Sequence, residues 1–200
     1  MTVLLYDNPF SGNCYKVRAI LALLGTEYER RQMSVTDYSE RIEVLGGLNP
    51  SLTVPTVVLD DGRPLAESNA ILWHFAEGTE YLPEDSYERA QVLQWMFFEQ
   101  YKHEPAIAVV RFWVAMSLDP PAAEEIEKRR REGVVALKML ERHLRERDYL
   151  VGERFTIADI ALYAYTHVAP EGGFDLEPLP AVRGWLERVA AQPGLISIDD

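Results

Sequence analysis

Residues 54–68 read VPTVVLDDGRPLAES. Thr56 to Leu59 and Pro64 to Ala66 are short apolar runs, and Asp60-Asp61-Gly62-Arg63 between them is a turn, so the stretch reads as a β-hairpin. Pro55 has no N–H to give to a ladder and belongs at the first position of a strand. A trans proline that simply opens the strand meets that condition. So does a cis Val54-Pro55 bond, which turns the main chain of Val54 outward, where an extended peptide can pair with it. Glu67-Ser68 follows the second strand at once and starts a helix. Ser68 as a plain N-cap serves only the helix. The ligand reading is richer. Free N–H groups and the positive dipole end at Ser68 and Asn69 suit a carboxylate, and Glu67 suits an ammonium. An α-amino acid carries both groups on one carbon.

Upstream, Val3-Leu4-Leu5-Tyr6 is a compact strand and Asp7 to Asn13 a loop of turn formers. Val17, Ile20, Leu21 and Leu24 recur at helical spacing until Gly25 stops the helix. Tyr28 to Met33 suits a second strand, Asp37 to Leu45 a helix, and Ser68 to Glu77 another, giving the order β-α-β-α-β-β-α. Downstream of Leu82-Pro83 strands are no longer expected. Residues 86–117, 122–147, Thr156 to Val168 and Ala181 to Ala191 read as amphipathic helices, with Pro120-Pro121 breaking the first. The composition thus shifts near residues 78–85 from a mixed domain to an all-helical one.

Ser11-Gly12-Asn13-Cys14 lies where the first helix begins. Ser11 suits an N-cap, and a hydroxyl at that helix end can also donate to a bound thiolate, with Asn13 as a second donor. Cys14 reads either as a redox thiol activated by the helix end or as a buried packing residue. Thr156-Ile157-Ala158-Asp159 has the form of a capping box and reads as structural. Residues 124–132, EEIEKRRRE, mix signs at helical spacing, as a solvated face does.

The 200 residues include 20 Lys+Arg and 32 Asp+Glu, and the net charge of -12 argues against a nucleic-acid or anionic-membrane partner. One cysteine rules out an intramolecular disulfide and a cysteine-based metal site, and the four histidines do not cluster at ligand spacing, so no metal is expected. The start, MTVLLYDNPF, lacks the features of a signal peptide, and no apolar run is long enough to cross a bilayer, so a cytoplasmic protein is expected.

Three segments, YDNPFSGNCYKVRAIL, NPSLTVPTVVLDDGRPLAESNAIL and FTIADIALYA, together in this order make the chain resemble the soluble glutathione transferases over nearly its whole length, in a bacterial-like form with serine and asparagine at the first helix. The resemblance implies an α+β, thioredoxin-like N-terminal domain (βαβαββα, residues 1–80) followed by an all-α C-terminal domain (residues 86–200). It implies glutathione as co-substrate, a hydrophobic electrophile and a homodimer, without metal. By the same resemblance Ser11 and Asn13 stabilise the thiolate. Thr53, Val54 and Pro55 lie along the tripeptide, with Val54 pairing its main chain to the cysteinyl part, and Glu67 and Ser68 hold the γ-glutamyl end. Tyr101, His103, Phe112 and Trp113, in MFFEQYKHEPAIAVVRFW (96–113), are then candidates for the electrophile pocket, against a reading as core and dimer seam. Glu99 or Gln100 is a candidate for reaching the partner's γ-glutamyl site. Leu52-Thr53 departs from the family, whose members often place Gly and a basic or amide residue there. Arg41 or a residue of a partner chain is the candidate replacement. Two alternatives stay open: a glutathione-dependent disulfide-bond reductase or peroxidase, and a non-catalytic binding or regulatory protein on the same fold.

Overall fold

In the computed structural model, residues 2–34, 36–117 and 119–200 are described. They form two compact units, Met1–Thr79 with Pro193–Asp200, and Glu80–Gln192.

The first unit is built on a four-stranded sheet, β1 (Val3–Asp7), β2 (Tyr28–Gln32), β3 (Thr56–Val58) and β4 (Pro64–Ala66), in the order β2-β1-β3-β4. β2 runs parallel to β1, whereas β3 and β4 are antiparallel to their neighbours. Alternation along β1 sends its side chains to opposite faces. Val3 and Leu5 pack with Val17, Leu21, Val57 and Ile71, and Tyr6 packs with Met33 and Leu45. The first cluster is the seat of α1 (Gly12–Leu23) and α3 (Ser68–Ala76), and the second that of α2 (Tyr38–Leu45). β2, an edge strand, reads YERRQ and is charged outward, which discourages pairing with another sheet. α1 ends as its glycine predicts: Gly25 adopts φ +61, its N–H meets Ala22 O, and the N–H of Thr26 meets Leu21 O. The hairpin turn is likewise as read, with Gly62 at φ +88 and its N–H on Leu59 O.

Residues 193–200 return to the first unit, although the sequence reading kept them with the helices. Their carbonyls explain why. Tyr15 Oη donates to Ile196 O at 2.9 Å, Arg18 Nη2 to Ile198 O at 2.7 Å and Arg30 Nη1 to Asp200 O at 2.6 Å. Arg18 and Arg30 also bracket the fully buried Asp7, at 2.9 and 2.7 Å. Breaking a buried pair leaves an uncompensated charge, so Arg18→Met is expected to lower unfolding stability by about 3 kcal/mol in urea titration. An unchanged midpoint would show that Arg30 alone neutralises Asp7.

The second unit is helical: α4 (Ser86–Phe98), α5 (Glu104–Ala115), α6 (Ala123–Leu144), α7 (Ile157–Thr166) and α8 (Pro180–Ala190), with a 3-10 turn at Ala169–Gly172. The helix expected over 86–117 is interrupted. One turn of π-helix, Glu99–His103, joins α4 to α5. Pro105 is the physical reason: it has no N–H for the preceding turn and its ring crowds that turn's carbonyl, and a widened turn relieves both. At α7 the capping box is formed, with Thr156 as N-cap and Asp159 returning to the Thr156 N–H at 2.9 Å. Asp159 is fully buried and also accepts from Leu150 N at 3.0 Å, Thr156 Oγ1 at 3.1 Å and Trp185 Nε1 at 2.9 Å. It ties three segments of the helical core together.

Candidate functional site

The register of the sheet gathers three loops at one end. Tyr6 pairs with Thr56 and Thr56 with Ala66. One residue further along, the chain leaves β1 toward Ser11, enters β3 through Val54-Pro55 and leaves β4 at Glu67-Ser68. The topology therefore brings together residues 11, 54–55 and 67–68, far apart in sequence.

The Val54-Pro55 bond is cis. Among the described residues none hydrogen-bonds the main chain of Val54, which is half-buried. Its loop is held by Asn49, a buried residue the sequence reading passed over. Asn49 Nδ2 donates to Thr53 O at 3.0 Å and Thr56 Oγ1 at 3.0 Å, and Thr56 Oγ1 in turn donates to Thr53 O at 2.8 Å. The signal was present in NPS: Asn49 Oδ1 accepts from Ser51 N at 2.9 Å, the turn that asparagine before proline favours. Thr53 itself is exposed, and Arg41 reaches this loop through Nη1 on Leu52 O at 3.2 Å. A cation thus stands beside the Leu52-Thr53 departure.

Glu67 stands at φ +68 and ψ 112, a conformation that a side chain disfavours. Strain of this kind is held only where its surroundings enforce it, and it clusters at ligand sites. Glu67 is exposed and occupies the N-cap position of α3 without a side-chain cap bond. The helix starts at Ser68 as expected, but the cap reading is corrected: Ser68 is the first residue of α3, one position inside the cap. Ser68 is nearly buried, and its hydroxyl donates to Asn13 Oδ1 at 3.0 Å.

Ser11 is the N-cap of α1 and accepts from Cys14 N at 3.2 Å. Asn8 orders the loop before it: its Nδ2 donates to Met33 O at 2.9 Å and its carbonyl oxygen accepts from the N–H of Ser11 at 3.1 Å. Cys14 points into the core. It is fully buried, its sulfur accepts from Asn8 N at 3.3 Å, and burial, with Asp7 nearby, pushes its thiol up to about 12. A thiol so held is not a thiolate near neutral pH, which removes the support for Cys14 as a redox group.

Lys16 was also passed over, because a lysine at helical spacing reads as surface. It is fully buried, and its ammonium donates to Asn13 Oδ1 at 2.8 Å, with Ser68 Oγ and Asn69 Oδ1 at 3.4 and 3.5 Å. Asn13 at one helix start and Ser68 and Asn69 at another thus meet at one cation. Two positive helix ends and an ammonium give an anion-attracting corner on a chain of net charge -12.

The four residues expected to line an electrophile pocket are not brought together. His103 is fully buried, with Nε2 on Thr166 Oγ1 at 2.9 Å; because that hydroxyl donates to Leu162 O at 2.7 Å, the ring nitrogen is the donor. It is a core residue of the helical unit. Tyr101 is 75% exposed, under Lys102, and lines a groove of about 400 Å³ with Arg129, Val135 and Met139. Phe112 is exposed and Trp113 half-buried on α5. Glu99 is buried, and Gln100 donates to it and to Glu104. Among the described residues no group of three or more His, Cys, Asp or Glu is arranged to hold a metal, and no helix is long and apolar enough to cross a membrane.

A mixed four-stranded sheet with a cis-proline strand start, an acid-serine helix start and a serine-capped first helix, followed by a helical unit, defines the glutathione-transferase class of fold. Comparison with known proteins agrees. The glutathione S-transferase N-terminal domain family matches residues 10–77 and the corresponding C-terminal domain family residues 99–193. A glutathione S-transferase from Pseudomonas fluorescens superposes with a TM-score of 0.95 at 44% identity, over 100% of both chains. Glutathione S-transferase 3 of Zea mays is 29% identical over 94% of this chain and 89% of its own. The disulfide-bond oxidoreductase YfcG of Escherichia coli is 32% identical over 73% of this chain and 71% of its own. The chain belongs to the glutathione S-transferase family.

Proposed function

We propose that this protein is a glutathione transferase of the serine/asparagine type, which stabilises the glutathione thiolate for attack on a hydrophobic electrophile. The observation that carries the reading is the junction of the two helix starts, where Asn13 and Ser68 meet at 3.0 Å beside the strained Glu67. Glutathione has a free α-amino acid at one end, a thiol in the middle and two peptide groups between its residues. The Glu67-Ser68 step offers an acid for the ammonium and helix N–H groups for the carboxylate. The open main chain of Val54 offers a donor and an acceptor for the cysteinyl peptide, with Thr53 and Pro55 shaping the same edge. The thiol then falls to the Ser11 and Asn13 end, where a hydroxyl and an amide at a positive helix terminus favour S⁻ over S–H. Sulfur attacks the electrophilic carbon, the leaving group departs with its electron pair, and serine acts only as a hydrogen-bond donor.

Ser11→Ala separates this reading from its rivals. Losing the donor is expected to raise the bound thiol's pKa by about one to two units, which lowers conjugation of a chloronitrobenzene about 10- to 100-fold near neutral pH. Cys14→Ser is expected to leave that rate within about twofold, since the buried thiol takes no part. A Ser11→Ala enzyme of full activity would sink the mechanism, and loss of activity in Cys14→Ser alone would favour a cysteine-based redox reaction. The similarity to the Escherichia coli disulfide-bond oxidoreductase keeps a second reading, glutathione-dependent disulfide reduction at the same site. Turnover of a small disulfide without turnover of electrophiles would favour it.

The homodimer reading is supported by the second unit's surface. Tyr87, Phe97 and Tyr101 are 70, 68 and 75% exposed, and Val135 and Met139 add to the apolar surface of α6. Such density is the mark of an interaction surface. Sedimentation velocity is expected to give a dimer at micromolar concentration, and Phe97→Glu to shift it toward monomer; a monomeric wild type would overturn the reading.

A further inference from the structure

The loop between β1 and α1 presents Ser11, and its polar main chain is held group by group. Asn8 N donates to Cys14 Sγ at 3.3 Å, Phe10 N to Asn8 Oδ1 at 3.1 Å and Ser11 N to Asn8 O at 3.1 Å. Pro9 has no N–H to offer. The carbonyls of Asn8 and Pro9 both meet one side chain, Arg18, with Nη1 3.4 Å from Asn8 O and Nη2 3.4 Å from Pro9 O. A carbonyl oxygen has two lone pairs, so Asn8 O takes Arg18 and the Ser11 N–H together.

Arg18 is fully buried on α1, two turns along from Ser11 and on the same face. Its contacts to the loop are long, and each is weak alone. They gain force because shorter bonds pin the guanidinium: Nη1 is 2.9 Å from Asp7 Oδ1 and Nη2 is 2.7 Å from Ile198 O. A planar fork held at both ends cannot turn away from the loop. Nε has no partner among the described residues, so the two ends place the group and its stem does not. Neutralising Asp7 needs only a cation, which lysine supplies as well. Reaching Asp7, two loop carbonyls and Ile198 O at once needs the fork of an arginine.

Resting on the glutathione reading, we propose that Arg18 is a positioning residue for Ser11: it fixes the loop at Asn8 and Pro9, and so the place of the Ser11 hydroxyl relative to the glutathione sulfur, while the returning residues 193–200 keep the guanidinium in position. Arg18 does not touch the reacting atoms. Its effect passes through Asn8 O to the Ser11 N–H, and the carbonyl of Ile198 is the stop behind it.

The test is the pH titration of the bound thiol, followed by thiolate ultraviolet absorbance in the glutathione complex, for the wild type, Arg18→Lys, Ser11→Ala and the double variant. Arg18→Lys keeps the positive charge beside Asp7, so a shift reports geometry and not the electrostatic field. It is expected to raise the bound thiol's pKa by about half to one unit, a loss of thiolate of about 3- to 10-fold at a given pH below it, with the glutathione Kd within about threefold of wild type. The double variant is expected to match Ser11→Ala, because Arg18 acts through Ser11. A folded Arg18→Lys protein with an unshifted thiol, or a double variant in which the two shifts add, overturns the proposal. If Arg18→Lys does not fold, Asp7→Asn/Arg18→Met decides. That pair removes one charge of each sign, leaving the net charge unchanged and no carboxylate stranded in the core. A raised thiol pKa there supports the role of Arg18, and an unshifted one overturns it. A wild type that binds no glutathione removes the functional reading and this proposal together, whereas binding with an unshifted Arg18→Lys thiol removes only the proposal.

Discussion

Asp159→Ala is expected to lower the stability of the helical unit by about 4 kcal/mol, the largest single-residue effect anticipated in the molecule. The carboxylate accepts from Leu150 N, Thr156 N, Thr156 Oγ1 and Trp185 Nε1. Removing it strands two main-chain donors and an indole N–H in the buried core and leaves a small void. Asparagine does not rescue it, because its NH₂ would face N–H groups on one side. The loss depends on pH. Burial raises the Asp159 pKa to about 6, and the hydrogen bonds from Trp185, Leu150 and Thr156 only partly oppose the rise. The folded state therefore holds this proton more tightly than the unfolded chain does. That contribution to stability is complete below about pH 4 and fades as pH rises through about 6. The variant lacks it, so the gap between wild type and Asp159→Ala is expected to be about 1 kcal/mol wider at pH 5 than at pH 7. Urea titrations at the two pH values check this. A gap that widens toward pH 7 would mean that Asp159 is held ionised.

Glu67→Ala and Ser68→Ala are expected to weaken glutathione binding about 10- to 100-fold each, the worth of a lost charge-assisted hydrogen bond of about 1.5–3 kcal/mol. The two differ in what they leave behind. Glu67→Ala removes the proposed partner of the ligand's ammonium, so its effect is expected to fade with a desamino analogue of glutathione. Ser68→Ala removes a hydroxyl at a helix start whose main-chain N–H groups remain, so it is expected to be the milder change. The strained Glu67, at φ +68, adds a control. Glu67→Gly relieves the backbone and is expected to stabilise the free protein while still losing affinity. Full affinity in Glu67→Ala would place the amino group elsewhere.

The fold was legible because its signals are local. The Gly25 stop, the Asp60-Asp61-Gly62-Arg63 turn and the Thr156 capping box each depend on a few neighbouring residues, and all three are formed. What the sequence hid was non-local. Lys16, Arg18 and Asp7 look like ordinary polar residues until the sheet and the returning residues 193–200 bury them. No pattern of hydrophobicity distinguishes a buried lysine that serves an asparagine from an exposed one. The π-turn at Glu99–His103 was missed for a different reason: Pro105 was read through, although a proline inside a helical pattern demands some local adjustment. The candidate site divides in the same way. Ser11, Asn13, Val54, Pro55, Glu67 and Ser68 could be put forward from the sequence because a turn or a helix start fixes the local geometry of each. For His103 the choice between pocket and core was not legible, because an aromatic-rich helix does not reveal which face it buries, and here that face joins Thr166 in the core.

The most direct test of the proposed glutathione site is calorimetric titration of the purified wild-type protein with reduced glutathione, repeated on a folded Glu67→Ala/Ser68→Ala double variant. Saturable heat at one glutathione per chain, abolished in the double variant, is the predicted result. No heat at millimolar glutathione, or equal heat from both proteins, would contradict a glutathione site at the junction of the two helix starts.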